Sequence, residues 1–389
     1  MRSVYLDHAA TTPVHPEVLS AMLPYFSADY GNASSVHHFG RKVRIAVDQA
    51  RSSVAEAIGA KPQEIYFTSG GTEADNLAIL GTARQLANKG KHIITSGIEH
   101  HAVLETCQAL EKQGYDVTYL PVDETGLVRV QDVEAAIRPD TILITIMHAN
   151  NEIGTIQPIA EIGALAKAKG IVMHTDAVQS MGSLPIKVDD LQVDLLSFSA
   201  HKIYGPKGIG ALYVRRGTRL KPIWYGGSQE RKLRTGTENV PGIIGLAKAV
   251  ELAVREREQR NAHLKQLQRK LIAGLTSVPD VTLNGHPEQR LPGNVNISVK
   301  YVEGESLILS LDMKGIAVSS GSACTSGSLE PSHVLLCMGL DHLQAHGSLR
   351  LTLGKDNTEE DIDYVLSVFP EIVERLRSIS PLYHRGRNE

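Results

Sequence analysis

A cysteine in a run of small polar residues is the first candidate for chemistry in this chain. Cys324 lies in residues 319–328, and the other nine residues of that stretch are Ser, Gly, Ala or Thr. Such a composition has little to bury and favours a mobile loop. Free cysteines are usually buried, and their reactivity depends on thiolate character and access. The setting of Cys324 therefore favours chemistry over packing.

A lysine and an aspartate are associated with the ends of two predicted strands. Lys202 follows the apolar run 195–199, and Asp176 lies near the end of the run 171–178. Ligands of open α/β sheets gather at such strand ends, where a desolvated lysine becomes a nucleophilic amine. A Schiff-base lysine and an aspartate that pairs with a pyridinium nitrogen are typical of pyridoxal phosphate (PLP) sites. Taken singly, Lys202 is also compatible with an ordinary loop lysine and Asp176 with a helix cap.

A glycine-containing loop between a strand and a helix is a candidate phosphate site. Residues 67–76 read FTSGGTEADN, so that Gly70 and Gly71 precede a helical pattern. Glycines let backbone amides approach an anion, and the first turn of a helix has unpaired N–H donors. Thr72 is alternatively a simple N-cap. The glycines of 205–210 lack the Gly-Lys-Ser/Thr ending of a Walker P-loop, so we do not interpret them as one.

Two pairs of histidines are candidates for proton transfer or metal binding. His100 and His101 follow a predicted strand, where an imidazole can stack on a cofactor ring or move protons near neutral pH. His342 and His346 have the i, i+4 spacing of zinc ligands on a helix. No His-Glu-x-x-His pattern or cysteine pair accompanies them. We therefore predict no metal site and interpret His342 and His346 as surface or capping residues.

Arg350 is a charged residue on an otherwise apolar predicted strand at 348–353. A guanidinium in that setting needs an acidic partner that binds two of its nitrogens. A substrate carboxylate meets that need, and so does a salt bridge within the protein. The sequence leaves both alternatives open.

The elements that must position these residues alternate along the first two thirds of the chain. Short β-rich runs are predicted at 64–69, 92–96, 117–122, 141–148, 171–178 and 195–199, and amphipathic helices at 41–58, 72–89, 102–113 and 159–169. This alternation is typical of a largely parallel sheet that is covered by helices on both faces. The predicted fold class is therefore α/β.

A second, smaller α+β domain is predicted after a long, charged, helical stretch at 241–278. Short strands are predicted at 295–299, 316–319 and 348–353, and a closing helix at 358–379. The length of 389 residues also exceeds one typical core. We place the large domain at residues 15–255 and the small domain at 1–14 and 256–389, with the cysteine loop at about 319–330.

The composition is that of an ordinary globular protein, with 42% hydrophobic residues, 21% charged residues and a net charge of −3. No basic block predicts nucleic-acid binding, and no apolar run reaches the length of a membrane span. The three cysteines are odd in number and far apart, which favours a reducing cytoplasm over a disulfide framework. Cys107, in a helical pattern, and Cys337, in an apolar run, are predicted to be buried.

Together, these motifs resemble those of the PLP-dependent cysteine desulfurases that supply sulfur for iron–sulfur cluster assembly, the NifS/IscS group. The resemblance covers nearly the whole chain and is carried by the segments 5–13, 31–35, 68–76, 99–103, 148–154, 174–179, 199–210, 234–239 and 319–331. It implies the PLP-dependent transferase fold of type I, in the class-V aminotransferase family, with a mainly parallel seven-stranded sheet in the large domain. The cysteine segment is similar to that of relatives with a long, mobile loop.

The resemblance also implies roles for the site residues. Lys202 would bind PLP as a Schiff base, Asp176 would hold the pyridinium nitrogen protonated, and Gln179 would bond the phenolic oxygen. His100 would stack on the ring and move protons. The residues that would bind the phosphate are Gly71, Thr72, Ser199, His201 and, across a homodimer, the partner subunit's Thr237. The residues near the substrate carboxylate or the adjacent cofactor edge would be Asn32, Asn151 and Arg350.

The implied reaction removes sulfur from L-cysteine to give L-alanine and a persulfide on Cys324. An iron–sulfur scaffold or another acceptor protein would take that sulfur, and Cys324 would contact a nascent cluster on this partner only transiently. A selenocysteine lyase or an aminotransferase of the same fold is the alternative. Cys324 argues against an aminotransferase, because transamination does not need it. His8, Ala33 and His101 depart from residues that are common in the family, but none of these departures removes a catalytic group.

Overall fold

The computed structural model describes residues 2–320, 331–381 and 383. Cys324 and most of the predicted cysteine loop lie outside these residues. The strands are β1 (Val4–Tyr5), β2 (Ile65–Thr68), β3 (His92–Ser96), β4 (Asp116–Leu120), β5 (Thr141–Thr145), β6 (Val172–Asp176), β7 (Leu195–Ser199), β8 (Gly210–Val214), β9 (Val281–Leu283), β10 (Asn294–Val299), β11 (Ile316–Ala317) and β12 (Ser348–Thr352). The α-helices are α1 (Pro16–Met22), α2 (Pro24–Ser27), α3 (His38–Ala57), α4 (Gly71–Leu86), α5 (His101–Glu111), α6 (Val130–Ala136), α7 (Ile159–Lys169), α8 (Val240–Arg255), α9 (Arg257–Thr276), α10 (Gly304–Asp312), α11 (His333–Cys337), α12 (His342–His346) and α13 (Glu359–Ser378).

Seven strands form one sheet in the order β2-β8-β7-β6-β5-β3-β4. Strand β8 is antiparallel to both of its neighbours, and the other strands run in one direction. This confirms the predicted mainly parallel seven-stranded sheet. The sequence does not predict β8, because a short, wholly buried apolar run has no period that separates it from a helix segment or a loop.

The parallel strands place their carboxyl ends at one edge of this sheet. The last residues of β2, β3, β5, β6 and β7 are Thr68, Ser96, Thr145, Asp176 and Ser199. Each strand is followed by a loop that leads over this edge, which is where open α/β sheets bind ligands. Every candidate segment that the sequence placed after a strand in this sheet therefore converges on the same region.

A second core surrounds the antiparallel sheet β12-β10-β9. Helices α9 and α13 and the amino-terminal residues Val4 and Leu6 contribute buried apolar side chains to it. Strand β1 pairs in parallel with β11, so the first residues of the chain pack with its carboxyl-terminal part. A separate cluster, with members between Val18 and Ala253, forms the core around the large sheet.

The helical stretch predicted at 241–278 consists of two helices, α8 and α9, with Glu256 between them. Leu246 and Val250 of α8 pack into the core of the large sheet, whereas Leu267 and Leu271 of α9 pack into the second core. The apolar faces of the two helices therefore serve different cores. None of the helices in the described part of the chain is long and apolar enough to cross a membrane.

The two cysteines within the described residues differ in exposure. Cys107 is fully buried in α5, as predicted. The prediction that Cys337 is buried is wrong, because Val334 and Leu335 take the inward side of the short helix α11 and leave Cys337 exposed. Its thiol donates to the Gly97 carbonyl at 3.3 Å. An apolar run this short does not show which of its residues faces outward.

Candidate active site

A cavity of about 290 Å³ opens at the carboxyl edge of the large sheet. The predicted site residues that line it are Gly71, Thr72, His100, Asn151, Asp176, Gln179, Ser199, His201, Lys202 and Arg350. Except for Arg350, which lies on β12, they end or follow five different strands of the large sheet. The structure thus brings most of the predicted site together in one place.

Lys202 supplies an amine to this cavity. It ends a short 3₁₀ turn, Ala200–Lys202, that directly follows β7. Its Nζ donates to the carbonyl of Ala10 at 2.8 Å and to that of Ala9. Gln179 Nε2 donates to the same Ala9 carbonyl at 3.0 Å. The segment after β1, which belongs to the second core, therefore holds the amine in place.

Asp176 is a buried carboxylate at the end of β6. Its Oδ1 accepts the Val178 N–H at 2.8 Å. Burial raises the pKa of Asp176 to about 6, although the Val178 hydrogen bond and the charge of Lys202 oppose that rise. A buried carboxylate of this kind is stabilised by a protonated ring nitrogen, since an opposite charge favours its ionised form.

Asp75 is a second buried acid of the cavity, and the sequence analysis did not assign it a role. Burial and the neighbouring Asp176 raise the pKa of Asp75 well above its ordinary value. Its Oδ1 lies 3.6 Å from His174 Nε2 and has no hydrogen-bond partner among the described residues. A sequence signal exists, because Asp75 lies four residues after Gly71 in the same helix and so shares its face.

His100 is held in the orientation of a helix cap. It is the N-cap of α5, and its Nδ1 accepts the Ala102 N–H at 3.0 Å. Burial lowers the pKa of His100 to about 4, and the charges of Lys202, His101 and His333 act in the same direction. The imidazole is therefore neutral at physiological pH, which suits it to stack on a ring or to accept a proton.

The amino terminus of α4 is open to an anion. The helix begins at Gly71 with Gly70 as N-cap, and no side chain caps it. The alternative that Thr72 is only an N-cap is therefore wrong. A Cβ on Gly71 would come within 2.7 Å of Val178 Cγ2, so a larger residue there would require the Val178 side chain to shift. Uncapped first-turn N–H groups of a 16-residue helix are a ready phosphate site.

Ser199 and His201 join this anion site from the end of β7. His201 Nδ1 lies 3.2 Å from Thr11 Oγ1. Burial lowers the pKa of His201 to about 4, and the charges of Lys202 and Lys207 contribute. The histidine is therefore a neutral hydrogen-bonding group at physiological pH.

Arg350 already has a partner within the protein. Its Nη2 donates to Asp7 Oδ1 at 2.9 Å, and its Nη1 donates to the Asn151 carbonyl at 3.2 Å. The Nε of this buried side chain has no partner among the described residues. The salt-bridge alternative is thus realised, and a donor remains for a ligand. The sequence does not identify Asp7 as the partner of Arg350, because the two residues are 343 positions apart.

Three predicted site residues are not brought into the cavity by the described structure. Asn32 is exposed, and its Oδ1 accepts the Ser34 N–H at 2.8 Å. Thr237 is also exposed and lies in the loop before α8. Cys324 lies outside the described residues. The roles of all three stay predictions.

The histidines His342 and His346 lie at the two ends of α12 and are exposed. Within residues 2–320, 331–381 and 383, no three His, Cys, Asp or Glu side chains are grouped so that they could hold a metal ion. The interpretation of His342 and His346 as surface residues agrees with this placement.

Glu99 is a buried acid directly before His100. Its Oε1 accepts the Ser96 hydroxyl at 2.5 Å and the Met147 N–H at 3.0 Å. Its Oε2 has no partner among the described residues. Burial raises the pKa of Glu99 from 4.5 to about 8, despite those two hydrogen bonds. The protonated form is therefore the stable one in the folded protein.

The folded apoprotein is expected to lose stability as Glu99 ionises. The pKa of Glu99 is about 8 in the folded protein, above its ordinary value of 4.5. The contribution of protonated Glu99 to the free energy of unfolding is therefore complete below pH 4.5 and is lost as the pH rises through 8. In Glu99→Gln, the decline in the free energy of unfolding over this range is expected to be smaller by a few kcal/mol, since one pKa unit corresponds to about 1.4 kcal/mol. Urea unfolding at about pH 5 and pH 8 measures it, with the exposed Glu105→Gln of α5 as control. An equal decline in both variants would contradict the prediction.

The comparisons with known proteins agree with this geometry. The aminotransferase class-V family matches residues 4–365. A protein of Methanosarcina thermophila named cysteine desulfurase IscS is 58% identical over 381 residues, which cover 98% of this chain and 94% of that protein. The chain belongs to the cysteine desulfurase group of the class-V aminotransferases.

Solved structures show the same fold as this desulfurase. One described as a NifS-like protein matches with a TM-score of 0.91 and 40% identity, over 96% of this chain and all (100%) of that one. Another, described as SspA in complex with cysteine, matches with a TM-score of 0.81 and 41% identity, over 92% and 100% of the two chains. The predicted type I fold and family are thereby confirmed.

Proposed function

We propose that this cysteine desulfurase uses PLP to transfer the sulfur of L-cysteine to Cys324. The observation that carries the proposal is one cavity in which three groups meet: the Lys202 amine, the buried Asp176 carboxylate and the open amino terminus of α4. A carbonyl-reactive amine, an acid for a ring nitrogen and a phosphate site are the three points that PLP requires of a protein. The relatives named cysteine desulfurase favour this activity over the aminotransferase and selenocysteine lyase alternatives.

The residues of the cavity fit PLP on their own chemistry. The buried carboxylate of Asp176 needs a cationic partner, and the uncapped turn at Gly71 needs an anionic one. A pyridinium nitrogen and a phosphate carried by one ring would satisfy both needs. When bound, PLP supplies an electron sink that stabilises negative charge at the substrate Cα.

Each residue then has a defined task. Lys202 Nζ would hold the cofactor covalently before the substrate binds. As a free amine afterwards, it would accept the α-proton of the substrate. Asp176 would keep the ring nitrogen protonated, and Gln179 would bond the phenolic oxygen. The neutral His100 would stack on the ring and move protons. Gly71, Thr72, Ser199 and His201 would hold the phosphate, and Asn151 would lie at the substrate side.

Arg350 would bind the substrate carboxylate through the Nε that is left without a partner among the described residues. Asp7 and the Asn151 carbonyl hold its two terminal nitrogens, which fixes the plane of the guanidinium. A fixed donor orients the substrate so that its sulfur points in a single direction.

The sulfur step needs a thiolate, since the thiol is a weak nucleophile. The Cys324 thiolate would attack the substrate sulfur, so that an S–S bond forms and the Cβ–S bond breaks. The electron pair of the broken bond stays with the substrate carbon, which takes a proton and leaves as alanine. Burial raises the pKa of the other two thiols, to about 12 for Cys107, so neither of them suits this role. The SspA relative with bound cysteine supports L-cysteine as substrate.

We further propose a homodimer in which the partner subunit's Thr237 completes the phosphate site. The support is that Thr237 is exposed and lines no cavity with Lys202 in its own chain. The large apolar residues exposed between α1 and α3 offer a surface for a second copy. They are Leu19, Leu23, Phe26, Tyr30, Val36, Phe39 and Ile45. Asn32 lies within the same stretch.

Three further proposals concern the domain boundaries, the sulfur acceptor and the location of the protein. The two cores support a division into 15–255 and 1–14 with 256–389. The name IscS of the relatives supports an iron–sulfur scaffold or another protein as sulfur acceptor. The odd cysteine count supports a cytoplasmic location.

The test of the function is a direct assay. Purified protein reconstituted with PLP is incubated with L-cysteine, and alanine, 3-mercaptopyruvate and protein persulfide are measured. We expect one alanine for each sulfur released and a persulfide on Cys324. Formation of 3-mercaptopyruvate without alanine or sulfur release would show an aminotransferase and overturn the proposal.

A further inference from the structure

We propose that Glu152 is a positioning residue for the sulfur-transfer step. Its carboxylate joins the substrate-side loop after β5 to the start of α11, the helix that follows the cysteine segment. The inference rests on the proposed function, because it assumes that Cys324 takes the substrate sulfur.

Glu152 makes a direct side-chain bond to the beginning of α11. The residue is buried and follows Asn151, which lines the cavity. Its Oε2 accepts the Ser332 hydroxyl at 2.5 Å. Ser332 is the N-cap of α11, and its Oγ also accepts the Leu335 N–H at 3.3 Å. The Ser332 hydroxyl therefore caps the first turn of α11 and also binds the substrate-side loop.

The backbone of Glu152 is held from two sides. Its N–H donates to Asn150 Oδ1 at 2.8 Å. Its carbonyl accepts from the Nδ2 groups of Asn294 and Asn296, both at 3.2 Å. These two asparagines lie on β10, in the second sheet. The backbone that carries the Glu152 carboxylate is thus held in place. A carboxylate held in this way can set the position of the Ser332 hydroxyl.

Apolar packing alone does not define where α11 begins. Val334 and Leu335 share an apolar cluster with Ile98, Met147 and Ile153 beside the cavity. Such packing is non-directional. Two directional contacts at the beginning of α11 are the Glu152–Ser332 bond and a bond of 3.0 Å between His333 Nε2 and the Glu99 carbonyl. Both bonds reach a neighbour of a cavity residue, because Glu152 follows Asn151 and Glu99 precedes His100.

The described residues on both sides of the cysteine segment are bonded to the site. Ser319 and Arg350 exchange backbone hydrogen bonds of 3.2 and 2.8 Å. Ser332, two residues beyond position 330, is bonded to Glu152. On one side of the segment, Ser319 is thus held by Arg350, which would bind the substrate carboxylate. On the other side, Ser332 is held by Glu152.

The charge state of Glu152 depends on few groups. Burial raises the pKa of Glu152 to about 7, while the Ser332 hydroxyl and the Arg350 cation lower it. Arg350 comes from β12 and is itself paired with Asp7. The other polar groups facing Glu152 are the neutral amides of Asn150, Asn294 and Asn296. The ionised form therefore becomes dominant above neutral pH, and either form keeps an oxygen that can accept the Ser332 hydroxyl.

The test compares holoenzyme variants at both ends of the bond. Glu152→Ala and Ser332→Ala are each expected to lower kcat for alanine formation and the rate of Cys324 persulfide formation by about tenfold or more, the size of effect that small misplacements produce. KM for cysteine and the visible spectrum of the cofactor are expected to change less than about twofold, since neither group touches them. The double variant is expected to be no slower than Glu152→Ala, because the pair acts as one unit.

A conservative variant and a matched control complete the design. Glu152→Gln keeps an acceptor for Ser332, so it is expected to recover most of the rate. Glu303→Gln is the control, because Glu303 accepts from Ser306 at 3.1 Å on an exposed surface. It is expected to behave as wild type.

Two outcomes would overturn the inference while the function stands. One is an active wild type with unchanged kcat in Glu152→Ala and Ser332→Ala. The other is a loss of cofactor affinity in Glu152→Ala that matches its loss of kcat, which would indicate a general structural role. A wild type that forms no alanine from cysteine would overturn the proposed function, and this inference with it.

Discussion

Lys202→Ala is expected to lose the visible absorption of bound cofactor and to reduce alanine formation from cysteine by on the order of 10³-fold or more, the scale seen when a covalent group is removed. Lys202 is the cavity residue that carries an amine, and it points to the same space as Asp176. An alanine offers no nucleophile to a carbonyl group and no base for the α-proton. Absorption spectra and alanine release measure both losses.

The control separates this chemical loss from misfolding. Lys207→Ala removes an exposed lysine five residues further along the chain and is expected to keep spectrum and activity. Lys202→Ala removes the Lys202 donor from the Ala10 carbonyl, while Gln179 still donates to the Ala9 carbonyl. The loss costs about 1–3 kcal/mol of stability. Circular dichroism should therefore still show a folded protein. A Lys202→Ala protein with undiminished colour and turnover would refute the assignment of the amine.

Cys324→Ser is expected to keep the cofactor spectrum but to lose persulfide formation by on the order of 10²-fold or more, because a serine hydroxyl is not ionised at neutral pH and does not accept sulfur. Cofactor binding is expected to persist, because its predicted ligands lie on the large sheet and its loops and do not include Cys324. Alkylation of the enzyme after incubation with cysteine, followed by mass spectrometry, reports the persulfide at each cysteine.

Cys337→Ser is the matched control for that experiment. Cys337 is an exposed residue, but its thiol donates to the Gly97 carbonyl, and partial desolvation of the sulfur raises its pKa. A thiol in that state contributes little thiolate, so the variant is expected to desulfurate cysteine at the wild-type rate. Persulfide on Cys337, or full sulfur transfer by Cys324→Ser, would contradict the role of Cys324.

Much of the large sheet and of the site could be predicted from the sequence because the information is local. Strand β7 and helix α7 have the predicted bounds, and all six predicted strands of the sheet occur within a few residues. Parallel strands also place their carboxyl ends together without any knowledge of side-chain packing. That is why Lys202, Asp176, His100 and the Gly70–Gly71 turn could be assigned to one site before any tertiary contact was known.

The contacts that complete the site were decided by tertiary structure. Asp7 reaches Arg350 across 343 positions, and Ala9 reaches Lys202 across 193. Both contacts exist because β1 pairs with β11 and carries the start of the chain to the second core. The burial of Asp75 and Glu152 likewise follows from the packing of distant segments, and so does the exposure of Cys337. The periodicity of apolar residues and the succession of strands along the chain can be read from the sequence. The partner of a buried charge depends instead on how the two cores pack together.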